Sequence, residues 1–149
     1  MSAPLRYPAV AVTGAAGDLT AEVAIDARTG ATTATVAGRA FVSKPPAGRR
    51  RALDDSFLEL RKALRRGGYR LRSCGTCQHF RYSPASRDMS AGLSGYCGLG
   101  HREPGLASIG PAGPGGATAP VVTLYFGCPD WDGREERELA EFFARRGTE

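Results

Sequence analysis

Leu19-Thr20-Ala21-Glu22-Val23-Ala24-Ile25-Asp26 sets Leu19, Ala21, Val23 and Ile25 on one side and Thr20, Glu22, Ala24 and Asp26 on the other. A repeat of two is the signature of a strand with one face turned to a core. Upstream, Tyr7 to Thr13 is apolar, and Gly14-Ala15-Ala16-Gly17-Asp18 reads as a turn. Downstream, Arg28-Thr29-Gly30 is a second turn and Thr32 to Val36 is rich in Thr and Val. Gly38-Arg39 breaks that run, and Ala40-Phe41-Val42 resumes it. Short strands joined by tight turns predict an antiparallel β-meander over residues 1–43. It holds no constellation of catalytic residue types.

Residues 44–68 read as a basic linker followed by a helix. Lys44 to Arg51 is rich in Pro, Gly and Arg, the composition of a domain boundary. From about Asp54, Leu53, Phe57, Leu60 and Leu64 recur at helical spacing and share one face. Arg61, Lys62, Arg65 and Arg66 lie mostly off it. Asp54 and Asp55 suit the positive end of the helix dipole, the late arginines suit its negative end, and Gly67-Gly68 ends the helix.

The chain has 149 residues, the size of one ordinary domain or two small ones, with 42% hydrophobic and 23% charged residues. That composition is globular. Its formal charge is +5. Between Lys44 and Arg72 stand ten Lys or Arg against three acids, so that segment is +7 and the remainder −2. The basic character belongs to one patch, which could solubilise the helix or steer toward an acidic partner or nucleic acid. No apolar stretch approaches the ~18 residues of a membrane span. The start lacks the basic and apolar regions of a secretory signal. The expectation is therefore a cytoplasmic protein with reduced thiols.

Residues 69–149 carry all four cysteines: Cys74 and Cys77 as C-x2-C, Cys97 after 19 residues, and Cys128 after 30 more. Two residues between thiolates let the backbone wrap so that both sulfurs face one ion or cluster, and Gly75 eases that turn. Four thiolates satisfy a tetrahedral zinc or one cubane iron–sulfur cluster. Zinc ribbons bring two C-x2-C pairs together, whereas here the third and fourth cysteines stand singly. Phe80, Tyr82, Tyr96, Tyr125, Phe126 and Trp131 are among the aromatics that lie within six residues of a cysteine. Such crowding suits either a shielded cluster or the ordinary core of a small metal-stapled domain. The Gly/Pro-rich stretch 103–120 reads as a long loop, and Val121 to Phe126 as a strand delivering Cys128. Asp132 with Glu135 fits a capping box for a last helix burying Leu139, Phe142 and Phe143.

Cys74-Gly-Thr-Cys77-Gln-His-Phe80, Gly95-Tyr96-Cys97-Gly98-Leu99-Gly100 and Phe126-Gly127-Cys128-Pro129-Asp130-Trp131 together resemble the ligand pattern of high-potential iron–sulfur proteins. They also resemble the related [4Fe–4S] small subunits of glycyl-radical enzymes such as benzylsuccinate synthase. The resemblance covers about residues 69–132. It implies one [4Fe–4S] cluster on Cys74, Cys77, Cys97 and Cys128, shielded by Phe80, Tyr96, Phe126 and Trp131. The gap before Cys128 is longer than in that pattern, the small carriers are typically periplasmic, and they lack the N-terminal half. These departures favour a subunit or accessory protein over a mobile carrier.

The expected fold is α+β, with a meander and basic helix followed by a loop-rich four-cysteine domain that ends in a helix. The expected function is non-catalytic: electron transfer, or a small accessory role beside a larger protein subunit or redox partner. The alternative is a zinc-stabilised protein- or nucleic-acid-binding module using the basic 44–72 segment. His79, two residues past Cys77, could enter a Cys3His site, and a surface or outer role is expected for His79 and His101. No nucleophile elbow, zincin, P-loop or dinucleotide fingerprint is present.

Overall fold

The computed structural model describes residues 5–26, 28–43, 53–82, 93–104, 121–128 and 130–144. The expected linker at 44–51, with Lys44, Arg49, Arg50 and Arg51, and residues 105–120 of the Gly/Pro-rich stretch lie outside them. The fold is α+β and divides into two compact units, Met1–Ser73 and Cys74–Glu149. Among the described residues, no helix is long and apolar enough to cross a membrane.

The first unit is an antiparallel sheet with a helix against it. Its strands are β1 (Leu5–Gly14), β2 (Gly17–Ile25), β3 (Thr32–Val36), β4 (Arg39–Ser43) and the short β5 (Arg70–Leu71), in the order β4-β3-β2-β1-β5. The meander thus extends to a fifth strand beyond the helix, with Val12 opposite Leu71 and Thr13 opposite Arg70. Meander and helix belong to one unit because they share one core. Tyr7 faces Val23 but Val10 faces Ala21, so β1 carries one extra residue there. Pro8 lies inside that bulge, where its missing N–H disturbs the ladder least. The β3–β4 turn is two residues, Ala37 and Gly38, with φ of 49° and 80°. Positive φ at both positions matches the twist of a two-residue hairpin, and Ala37 adopts it without being glycine.

Helix α1 (Leu53–Arg66) lies against β3, β4 and β5. Phe57, Leu60 and Leu64 are fully buried, as their spacing predicts, against a sheet face of Val10, Val12, Ala21, Val23, Ile25, Ala34 and Val36. Leu19, at the β1–β2 hairpin end, is 36% exposed despite sharing the parity of Ala21. The first turn of α1 is pinned by polar contacts. Ser56 Oγ donates to Gly30 O at 2.7 Å, and Ser43 Oγ donates to Ser56 O at 2.8 Å, both buried. At the C-terminal end Tyr69 N donates to Leu64 O and Gly68 N to Arg65 O, with Gly68 at φ 91°. This is the Schellman closure that the Gly67-Gly68 pair predicts.

The second unit has a small sheet ordered β6-β7-β8, from Phe80–Arg81, Ser94–Cys97 and Val122–Thr123, and a terminal helix α2 (Glu136–Ala144). Two local expectations are corrected. The strand expected over Val121 to Phe126 spans only Val122–Thr123, because Phe126 N turns back to Thr123 O. Asp132 does not cap α2. Its backbone oxygen accepts Gln78 N and its carboxylate accepts the Gln78 amide, while Glu135 O receives the first helical bond, from Leu139. Leu139 and Phe143 are buried, and Phe142 stacks on Tyr82 at 5.7 Å and meets Phe80 edge-on at 6.1 Å.

Phe57→Ala empties the centre of the first core and should cost about 3–5 kcal/mol, the range for truncating a buried Phe. Urea unfolding followed by circular dichroism measures it, and a loss below about 1 kcal/mol contradicts the packing described, given that range.

Candidate metal centre

The C-x2-C pair sits on one tight turn. Cys74–Thr76 forms a single 3-10 turn, and Cys77 N donates to Cys74 O at 3.0 Å. The turn is tied to the chain that carries Cys128. Cys74 N donates to Phe126 O at 2.8 Å, Gly75 N to Leu124 O at 2.9 Å, and Cys77 bridges to Gly133. Trp131 Nε1 donates to Thr76 Oγ1 at 3.0 Å, and Arg134 N donates to Thr76 O at 2.8 Å. The Arg134 guanidinium then reaches three carbonyl oxygens, of Cys77, Gln78 and Phe80, and lies 4.0 Å from the Phe142 ring centre. One forked cation thus joins the C-x2-C segment to the aromatic base of the unit.

Cys97 ends β7 directly opposite Phe80 on β6. Gly95 lets that pairing close, because a Cβ there would stand 2.3 Å from Arg81 O and 2.7 Å from the Phe80 ring. Gly98 N donates to His79 O at 2.7 Å, which draws the Cys97 turn against the C-x2-C segment. Three segments therefore bring their thiols to one region.

Backbone N–H groups turn toward three of the sulfurs. Leu99 N lies 3.4 Å from Cys97 Sγ, Asp130 N 3.4 Å from Cys128 Sγ, and Asp132 N 3.5 Å from Cys77 Sγ. The first two are the same local turn, with the donor two residues past the cysteine. Such donors favour the thiolate and tune a bound metal.

All four cysteines are free thiols; Cys74, Cys77 and Cys97 are buried and Cys128 is partly buried. Burial pushes the Cys74 thiol far up, and the charges of Cys128, Cys77, Cys97 and Glu103 push it further. Burial also raises Cys128, against the Asp130 N–H that lowers it, with Cys97, Asp130 and Cys77 adding repulsion. These effects favour the neutral thiol at Cys74 and at Cys128. Thiols are the donor type that a zinc ion or an iron–sulfur cluster takes.

Phe80 is 1% exposed, and its ring packs with Tyr82 at 5.0 Å as well as with Phe142. Tyr96, Phe126 and Trp131 are half-buried. The spacing of the cysteines missed a different juxtaposition. One ligand atom each of His101, Cys128 and Asp130 lies within 4.8 Å of the others, and His101 Nε2 is 2.7 Å from Asp130 Oδ2. Among the described residues the four sulfurs are spread more widely than that. A histidine 27 positions before a cysteine carries no local signal, so only the fold pairs them. His79 contributes its backbone oxygen to Gly98.

Comparison with known protein families, characterised proteins and solved structures finds no match for this chain.

Arg134→Ala should lower the stability of the second unit by about 2–3 kcal/mol, the scale of charged hydrogen bonds to buried carbonyls. Arg134→Lys should recover only part, since an ammonium cannot fork across three oxygens; full recovery in urea unfolding would contradict the clamp. In protein freed of metal by chelation, stability should fall as pH rises through and above the ordinary thiol value near 9.0. The unfolded chain ionises Cys74 there while the folded chain keeps it protonated, so higher pH favours unfolding. Unfolding midpoints at neutral and alkaline pH measure this, with Cys74→Ala showing the shallower slope.

Proposed function

We propose that the second unit carries one [4Fe–4S] cluster on Cys74, Cys77, Cys97 and Cys128, and that the protein serves without catalysis of its own. It acts in electron transfer or as a small accessory subunit of a larger complex. The observation that carries the reading is the convergence of four free thiols from three chain segments, close enough for Cys128, Cys77 and Cys97 to act on the Cys74 thiol.

A structural zinc is the alternative, and with Zn–S of about 2.3 Å it would draw four sulfurs to about 3.8 Å of one another. The singly placed Cys97 and Cys128 support the cluster reading, as does their resemblance to high-potential iron–sulfur ligand patterns.

When bound, such a cluster takes up and gives back one electron. The chain's residues set the conditions for that. Cys74, Cys77 and Cys97 hold their corners away from water, and the N–H groups of Leu99, Asp130 and Asp132 offset charge on sulfur. Cys128, the most exposed ligand, gives the shortest way out. A reducing compartment such as the cytoplasm suits four unpaired thiols.

On the first unit, Lys62, Arg65 and Arg66 line a shallow cavity of about 370 Å³ on the outer side of α1. This basic face supports docking of an acidic partner subunit, and is the observation that keeps a nucleic-acid-binding role as the second reading. Gel-shift at low salt tests that role, with absence of a shift counting against it.

Protein purified without oxygen should be brown and hold about four irons and four sulfides per chain, as an all-cysteine cubane requires. Cys74→Ala and Cys77→Ala should each lose most of that colour. A colourless protein with one zinc overturns the reading.

A further inference from the structure

One corner of the proposed centre differs from the other three, and the inference rests on that centre. Cys74, Cys77 and Cys97 are at most 7% exposed, whereas Cys128 is only partly buried. Two further donors stand beside it. A His101 ring nitrogen, the Cys128 sulfur and an Asp130 carboxylate oxygen all lie within 4.8 Å of one another. Two separate turns deliver them. His101 follows the Gly98-Leu99-Gly100 turn that leaves Cys97, and Asp130 sits in the turn whose N–H meets the Cys128 sulfur. The 2.7 Å bond between His101 Nε2 and Asp130 Oδ2 holds the two donors together. Among the described residues, no such group surrounds Cys74, Cys77 or Cys97.

Imidazole nitrogen is a competent iron donor, and histidine replaces cysteine on one iron in some clusters, raising the potential. Carboxylate oxygen is a harder donor that binds the same metals less strongly. We infer that His101 and Asp130 form a reserve donor pair for the exposed corner, holding its metal when the Cys128 thiolate is lost or displaced. The exchange moves no electron. With a cluster bound, the Cys128 thiolate would leave and take a proton from solvent, and the neutral imidazole or the carboxylate would enter. A centre so equipped keeps its fourth corner under oxidative challenge, at a potential higher than with four thiolates.

The test uses the full chain, reconstituted without oxygen with iron and sulfide, and reads iron per chain and the electron paramagnetic resonance spectrum. Cys128→Ala should keep about four irons at a raised potential, whereas Cys97→Ala, whose corner lacks the pair, should fall to about three, the count of a cubane missing one corner. Adding His101→Gln and Asp130→Asn to Cys128→Ala should bring it down to the Cys97→Ala level. If Cys128→Ala alone already matches Cys97→Ala while wild type holds its full complement, the reserve pair is overturned and the centre stands. Wild type that binds no iron overturns the centre, and the pair with it. A second measurement needs no cysteine substitution. Under ferricyanide, His101→Gln/Asp130→Asn with all four cysteines present should shed an iron several-fold faster than wild type; equal rates overturn the inference.

Discussion

Four thiols brought into one largely buried region cannot all ionise unless a cation stands among them. The organisation of the second unit depends on that constraint. Its regular structure is slight: three short strands and one terminal helix among the described residues. Cross-links between segments do most of the ordering, through the C-x2-C turn tied to Phe126 and Leu124 and the Cys97 turn tied to His79. Arg134 spans three carbonyl oxygens and an aromatic ring. In the metal-free chain, burial and the neighbouring cysteines favour the neutral form of Cys74 and Cys128. On the proposed reading a bound metal would favour the thiolates instead, and small metal-binding units can gain much of their stability from the ion.

The first unit obeys a different constraint. It has a conventional core, with Phe57, Leu60 and Leu64 of α1 closed over the inner face of a five-stranded sheet. Buried hydroxyl contacts from Ser43 and Ser56 fix the helix start, and a Schellman closure fixes its end. Nothing in this arrangement calls for a metal. Its distinctive surface is the basic end of α1, where Lys62, Arg65 and Arg66 stand away from the core. The proposed function therefore divides along the chain, with a metal centre on the second unit and a charged docking face on the first.

The proposed centre is asymmetric. Three corners are sealed and one is half open, and the open one has an imidazole and a carboxylate beside it. Electron exchange needs access, and access exposes a ligand to oxidation. A thiolate at that position carries both consequences, which gives the neighbouring His101 and Asp130 a chemical context that an ordinary surface ion pair lacks.

Sequence alone determined what depends on local periodicity and on residue chemistry. The alternation at Ala21 to Ile25, the helical face from Leu53 to Leu64 and the Gly67-Gly68 stop are short-range patterns, and each reappears in the fold. The four cysteines suggest one donor set from thiol chemistry and C-x2-C spacing, and the centre built on them is proposed. One local signal misled where a long-range partner competed for the same group: Asp132 has the spacing of a helix cap but bonds to Gln78 instead. The β-branched run from Val121 gives way to a turn in which Phe126 N donates to Thr123 O. The pairing of β5 with β1, the Arg134 clamp and the meeting of His101 with Asp130 at Cys128 were decided only by tertiary structure. Their partners are 27 to 59 residues apart in the chain, a separation at which sequence pattern carries no information about contact.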